Sequence, residues 1–141
     1  MSNAAPEPAP LVARTPAFLI DQLVVTLLVV PPVLVTGVGF EELISPGTTR
    51  RNVYIALMAV AFIYHFVLEW QTGQTVGKYV FDLSAVADDG TPLDIWQSLL
   101  RNALRGIDGL GYWGVAVAII LYRGDGKRLG DIIGRALVVR N

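Results

Sequence analysis

The sequence contains no cysteine and a single histidine, and charged residues make up only 16% of its 141 positions. Without cysteine the chain cannot be a disulfide-bonded scaffold. Its formal net charge of −1 excludes the basic surface that nucleic-acid-binding proteins need, so we expect no nucleic-acid partner. Soluble domains usually carry about 25% charged residues. The chain therefore has too few charges to keep the surface of an ordinary soluble domain hydrated.

Hydrophobic residues are abundant and concentrated in two segments. They make up 53% of the sequence, and the mean hydropathy is +0.53. Residues 23–38 and 53–68 contain no Asp, Glu, Lys or Arg. About 20 helical residues cross the hydrocarbon core of a bilayer, which is roughly 30 Å thick. We therefore predict an integral membrane protein, with the lipid bilayer as a partner, that has spans near residues 13–36 and 52–70.

The second half of the chain predicts smaller elements. Residues 71–78 are polar and rich in glycine, which favours a surface loop, and residues 79–87 alternate between apolar and polar as in a strand. We expect residues 81–86 and 137–139 to pair, because unpaired strands leave backbone groups unsatisfied. An amphipathic helix follows from residue 93, and the apolar segment 112–122 is too short to cross alone.

The predicted fold is therefore an all-α membrane protein with a small two-stranded β element. It has two full transmembrane helices, and the amphipathic helix forms a hairpin with a short third apolar helix. Lys78 and five basic residues of the tail favour a cytoplasmic position for residues 71–92 and for the tail, by the positive-inside rule. We predict a multi-pass protein of the cell membrane with both termini in the cytoplasm.

Charged residues lie inside the predicted membrane domain. Arg14 and Asp21 are two helical turns apart on one face of the first span. Arg14 either anchors that span at the interface or joins a polar core. A carboxylate within a span costs about 2.5 to 3.5 kcal/mol and normally faces a partner or water. We expect Asp21 to pair with Arg101 or Arg105, because Arg14 lies about 10 Å away along the helix axis. The candidate charge cluster comprises Arg14, Asp21, Arg101, Arg105, Asp108 and Asp131.

His65 and Glu69 are four residues apart near the end of the second span. They form either a hydrogen-bonded pair or a titratable pair on a proton path. With one histidine and no cysteine, a metal site is not expected. GQTVGK at residues 73–78 lacks the spacing of a phosphate-binding loop, and no nucleophile with a matching base can be assembled. We predict no cofactor and no enzymatic activity.

Several motifs occur in an order that resembles the RDD family of small membrane proteins. They are Arg14 with Asp21, QTVGK, ADDGTPL, LLRNALR, RLGD and a terminal ALVVR. The resemblance covers residues 12–140, after an N-terminal tail of residues 1–11 that we expect to be disordered. The arginine and two aspartates that name the family fall on Arg14, Asp21 and Asp131. The resemblance implies a compact helical membrane domain and a role in transport, with cation–proton antiport as one suggestion.

Two functions remain open from the sequence. The first is a small transporter in which Asp21 carries a monovalent cation or a proton. Because 141 residues leave little room for a pathway in one protomer, this function favours a homo-oligomer. The alternative is a membrane scaffold or assembly factor that transports nothing, in which the same charges only fix the positions of the helices.

Overall fold

The computed structural model describes residues 6–105 and 129–141. Two of the described helices are long and apolar enough to cross a membrane, as predicted. The predicted hairpin falls largely on residues 106–128, which lie outside the described residues. The elements are α1 (Leu11–Val35), α2 (Phe40–Ile44), α3 (Thr48–Thr72), α4 (Val76–Val80), β1 (Leu83–Ala87), α5 (Ile95–Ala103), α6 (Leu129–Ile133) and β2 (Ala136–Arg140).

The two long helices expose large apolar side chains and bury polar ones, together with small apolar residues of α1. On α1, Leu19, Leu23 and Leu27 are 58–61% exposed, whereas α3 buries only His65 and Glu69. This distribution is the reverse of that in soluble proteins, and it suits a lipid environment. The buried residues of α1 recur at every fourth position, and they are Ala13, Ala17, Asp21, Val25 and Val29.

The segment after α3 is more regular than the sequence predicts. Helix α3 ends at Gly73, whose left-handed φ of 71° suits glycine. Residues Val76–Val80 then form α4 instead of the predicted surface loop. The Thr75 side chain caps this helix by accepting a hydrogen bond from the Lys78 backbone N–H. Helix α4 packs on α1, and this tertiary contact together with the cap outweighs the low helix propensity of glycine. The predicted strand is consequently shorter and begins at Leu83.

The predicted pairing of the two short strands is confirmed. Strands β1 and β2 are antiparallel, with Leu83 opposite Arg140 and Ala87 opposite Ala136. The backbone N–H of Ala9 donates to the carbonyl of Val138 at 2.7 Å. The segment that precedes α1 is therefore tied to the sheet, which fixes the start of the first span beside β2.

Helix α5 places its polar side against the protein and its apolar side outward. Asp94 and Gln97 cap its start by exchanging side-chain and backbone hydrogen bonds. Arg101 is buried, whereas Trp96 is 68% exposed. A helix with this distribution brings Arg101, together with Ser98 and Asn102, to the interior, where we find the candidate site.

Candidate functional site

Five buried side chains form a continuous chain of ion pairs. Arg14 Nη2 lies 3.1 Å from Asp131 Oδ2, and Arg101 Nε lies 3.2 Å from Asp131 Oδ1. The same Arg101 Nε lies 3.2 Å from Glu69 Oε2, and Lys78 Nζ contacts Glu69 Oε1. No side chain of this set is more than 10% exposed. We call Arg14, Asp131, Arg101, Glu69 and Lys78 the charge network.

The charge network joins five different helices. Its members come from α1, α3, α4, α5 and α6, and each carboxylate contacts two cations. Further hydrogen bonds hold α5 on α3: Asn102 Nδ2 donates to Glu69 Oε2 at 3.1 Å, and Ser98 Oγ donates to the Phe66 carbonyl at 2.9 Å. Removing one partner of a buried pair costs about 3–5 kcal/mol, because the other charge is left uncompensated. The network therefore couples the positions of all five helices.

Lys78 is a member of the network whose pKa is shifted towards neutral pH. Burial lowers the pKa of Lys78 from its ordinary value of 10.5 to about 8. Glu69 opposes this shift and Arg101 adds to it. Lys78 is thus mostly protonated at pH 7 and releases its proton when the pH becomes slightly alkaline.

Asp21 is satisfied by three neutral donors. Its carboxylate accepts hydrogen bonds from Tyr64 Oη at 2.8 Å, from Thr75 Oγ1 at 2.6 Å and from the Gly77 backbone N–H at 2.8 Å. Within the described residues, no ion pair joins Asp21 to an arginine. Arg101 pairs with Glu69 and Asp131 instead. The predicted pairing of Asp21 with Arg101 or Arg105 is therefore wrong for the part of the chain that the structure describes.

Gly77 is required for this arrangement by close approach of two backbones. A Cβ at this position would lie 1.8 Å from the Ala17 carbonyl oxygen and 3.0 Å from Asp21 Cγ. Only glycine lets α4 approach α1 closely enough for the Gly77 N–H to reach the carboxylate. The glycine of QTVGK thus serves the packing of α4 on α1.

A small cavity of about 40 Å³ lies beside the charge network. Of the predicted cluster, Arg14, Asp21, Arg101 and Arg105 line it, and Lys78 adds a further cation. Arg105 also stacks over Phe18, with its Cζ 5.4 Å from the ring centroid. Asp108 lies outside the described residues. The structure therefore brings the predicted residues close together, while their role in transport stays a prediction.

His65 and Glu69 have different surroundings although both are fully buried. The His65 ring packs edge-on against Tyr64, with 5.0 Å between ring centroids, whereas Glu69 belongs to the charge network. A proton path through this pair stays a prediction. Across residues 6–105 and 129–141, no group of three His, Cys, Asp or Glu could hold a metal ion.

Sequence reasoning missed Lys78, Tyr64 and Thr75 as parts of the site. The sequence predicts Lys78 only as a basic residue of a surface loop, and no local pattern distinguishes Tyr64 within the apolar second span. The available signal was the run of Thr, Gly and Lys directly after an apolar helix, which also belongs to the QTVGK motif. That pattern does not predict helix α4, and it is the formation of α4 that turns Thr75 and Lys78 inward.

Comparison with known proteins gives a family but no individual relative. Neither the curated proteins nor the solved structures contain a match to this chain. The family model described as the RDD family matches residues 8–135, which is most of the chain and includes every member of the charge network. The protein is therefore a member of the RDD family.

Proposed function

We propose that this protein is a small proton-linked transporter of the cell membrane. The observation that carries the proposal is the contact between Lys78 and Glu69 inside a membrane domain, beside a cavity. Structural ion pairs far from any opening have no means to exchange protons. Lys78, by contrast, lines the cavity, and its lowered pKa makes deprotonation accessible.

Glu69 remains stabilised as a carboxylate when Lys78 loses its proton. When Lys78 is neutral, the Glu69 carboxylate keeps Arg101 and Asn102 as partners, so the loss of one positive charge leaves it stabilised. The network can thus exist with and without one proton while its helices stay paired. That property distinguishes a proton-linked pathway from a single buried salt bridge.

The contacts of Lys78 and Glu69 do not identify the substrate that is transported together with the proton. Cation–proton antiport is one suggestion for RDD proteins. Our proposal adopts the proton from this suggestion but not the cation. The cavity wall gives no support to a bare cation, because Arg14, Lys78, Arg101 and Arg105 all line it. Asp21 is also a poor cation carrier, since its oxygens already accept three hydrogen bonds.

A scaffold function is the second candidate. It is favoured by the internal pairing of the charge network, which fixes five helices without any ligand. A scaffold would show strong effects of network substitutions on stability and no flux in the intact protein.

Proteoliposomes loaded with a pH-sensitive dye test the proposal. Gradients of sodium and of phosphate are imposed in turn, with the membrane potential held at zero by valinomycin and equal potassium on both sides. A potassium gradient is imposed separately, without valinomycin. We expect the wild-type protein to move protons with at least one gradient. We expect Lys78→Arg to abolish the flux, because arginine keeps the positive charge but does not release its proton.

Control variants separate this result from misfolding. Glu41→Gln removes an exposed carboxylate from α2 and should leave flux unchanged, whereas Glu69→Gln should reduce it strongly. Asp21→Asn tests whether the other buried acid takes part. A wild-type protein that is silent with every gradient, or a Lys78→Arg variant with undiminished flux, would contradict the proposal.

We also propose a homo-oligomer as the working form. Two spans of 25 residues each enclose little space in a single protomer, and their leucine-rich faces are exposed. Native mass spectrometry from nanodiscs should show a defined multiple of the chain, and a monomer with full flux would contradict it.

A further inference from the structure

The wall of the cavity has an unusual composition for a membrane domain. It is lined by four cationic side chains and by one carboxylate, that of Asp21. The oxygens of this carboxylate already accept hydrogen bonds from Tyr64, Thr75 and Gly77. The wall of the cavity therefore carries more positive than negative side chains.

Arg101 presents the clearest need for an acceptor. Its side chain is 1% exposed, and it pairs with Glu69 and Asp131 through Nε. Its Nη1 and Nη2 atoms are buried and have no hydrogen-bond partner among the residues that the structure describes. Leaving a buried donor unsatisfied costs about 1–3 kcal/mol, and more for a charged group. Arg101 lines the cavity, so a ligand there can supply the missing acceptors.

The chemistry of the wall defines the ligand. A guanidinium offers parallel N–H donors that match the two oxygens of a carboxylate or phosphate group. A metal cation would face four positive side chains, and a neutral molecule would offer the Nη donors weaker acceptors than an anion does. The cavity of about 40 Å³ has room for a few water molecules, which is the size of a single oxyanion group and too small for a bulky solute.

We propose that this cavity is a binding site for an oxyanion, a carboxylate or phosphate group, which bonds to the Nη atoms of Arg101. The oxyanion belongs either to a free solute or to a lipid headgroup, since both present the same oxygens. The proposal that an oxyanion binds here depends only on the cavity and its lining residues. That the oxyanion is also the transported species depends on the proposed function.

A substitution of Thr15 can block the site without removing any charge from it. It lines the cavity and is itself exposed, so it lies at the mouth. Its hydroxyl donates to the Leu11 carbonyl at 2.9 Å within α1. A Phe at position 15 should close the mouth. Thr26 is a matched control, because it is exposed on the same helix, donates to the Gln22 carbonyl at 2.7 Å and does not line the cavity.

The experiment is a calorimetric titration of inorganic phosphate, and separately of acetate, into the purified full-length protein. The protein is held in phosphatidylcholine nanodiscs in a chloride-free zwitterionic buffer. We expect saturable binding at one site per chain for at least one of the two anions. Arg101→Lys keeps the charge but loses the planar pair of donors, and it should weaken binding by about tenfold or more. Thr15→Phe should abolish binding, and Thr26→Phe and Arg51→Lys should bind as the wild type does.

A second arm distinguishes the two sources of the oxyanion. Part of the phosphatidylcholine is replaced by phosphatidylglycerol, and the titration is repeated. Unchanged binding supports a free solute, and weaker apparent binding of phosphate in the presence of the anionic lipid, equal in the wild type and in Thr26→Phe, supports a headgroup.

Three results would overturn the proposal: no saturable binding in the wild type, binding by Thr15→Phe equal to that of Thr26→Phe, or undiminished binding by Arg101→Lys. Because binding is measured without flux, a silent transporter that still binds phosphate refutes the proposed function and leaves the site intact.

Discussion

At the scale of residues, Asp21 shows how this membrane domain accommodates a carboxylate without an arginine. Three neutral donors, one of them a backbone N–H, stabilise its negative charge. The ion pairs are concentrated instead on Glu69 and Asp131, each of which contacts two cations. Buried carboxylates in this protein are thus stabilised in two ways, by neutral hydrogen-bond donors or by cations.

The hydrogen bond from Tyr64 to Asp21 should be measurable by a double-mutant cycle. We expect a coupling free energy of about 1–3 kcal/mol between Tyr64→Phe and Asp21→Asn, measured by chemical unfolding in detergent. Tyr79→Phe provides the control, because Tyr79 is 72% exposed, and it should show no coupling with Asp21→Asn. Equal coupling for both tyrosines would show that this hydrogen bond makes no specific contribution to stability.

Lys78 should make stability depend on alkaline pH. Its pKa is about 8 in the folded protein and 10.5 ordinarily, so between these values the folded state binds fewer protons than the unfolded state. Unfolding then takes up protons, and the contribution of this group to stability rises with pH across that interval. Thermal unfolding in detergent from pH 7.5 to 10.5 should therefore show a more positive slope for the wild type than for Lys78→Met. Parallel slopes would contradict the shift.

At the scale of elements, the contact between α4 and α1 determines where the functional side chains lie. Helix α4 holds Lys78 and follows the Thr75 cap, and it is only five residues long. Such a short helix is not stable by itself. Its position depends on the Asp21 hydrogen bonds and on the close approach at Gly77.

Gly77→Ala should separate these two helices. The added Cβ would lie 1.8 Å from the Ala17 carbonyl oxygen, so α4 has to move and the hydrogen bond to Asp21 is lost. We expect destabilisation of about 2–4 kcal/mol, from overpacking and the lost hydrogen bond together. Chemical unfolding measures it, with Gly47→Ala as control, since an added Cβ there meets nothing within 4 Å and the φ of 171° is extended backbone. Equal effects of the two substitutions would show that α4 is not held by this contact.

At the scale of the whole molecule, the protein differs from a soluble domain in the large apolar side chains that it exposes and in the charges that it buries. Its interior holds an ion-pair network, and its exterior is rich in leucine, isoleucine and valine. A surface of this kind is stable only when lipid or another apolar partner covers it. We propose the orientation in the bilayer from the basic residues that flank the spans.

Cysteine labelling tests this orientation, because the native sequence has no cysteine. We expect Asn141→Cys to react with a membrane-impermeant maleimide only after the cells are opened, since the proposed topology places both termini in the cytoplasm. Ser45→Cys, which lies between the two spans and is exposed, should react in intact cells. Labelling of Asn141→Cys from outside would contradict the topology.

The sequence by itself determined the two spans, the pairing of the short strands and the family. Hydropathy over about 20 residues is a local property, and so is the alternation that predicts β1. The presence of Arg14, Asp21 and Arg101 in such a setting also predicts a buried charge cluster, because isolated charges are costly in lipid. The pairing of the strands rests on the need to satisfy their backbone groups, and the other conclusions need no knowledge of which segments meet.

Only the tertiary structure decided which charges are partners. Arg14 and Asp131 lie 117 positions apart, and Asp21 and Gly77 lie 56 apart. The need to compensate a buried charge does not specify the partner, since any acid can serve any cation. Even Lys78, nine positions from Glu69, was not identified, because α4 forms only when its backbone docks on α1 at Gly77. The choice of partners therefore depends on packing between distant segments, which local sequence patterns do not contain.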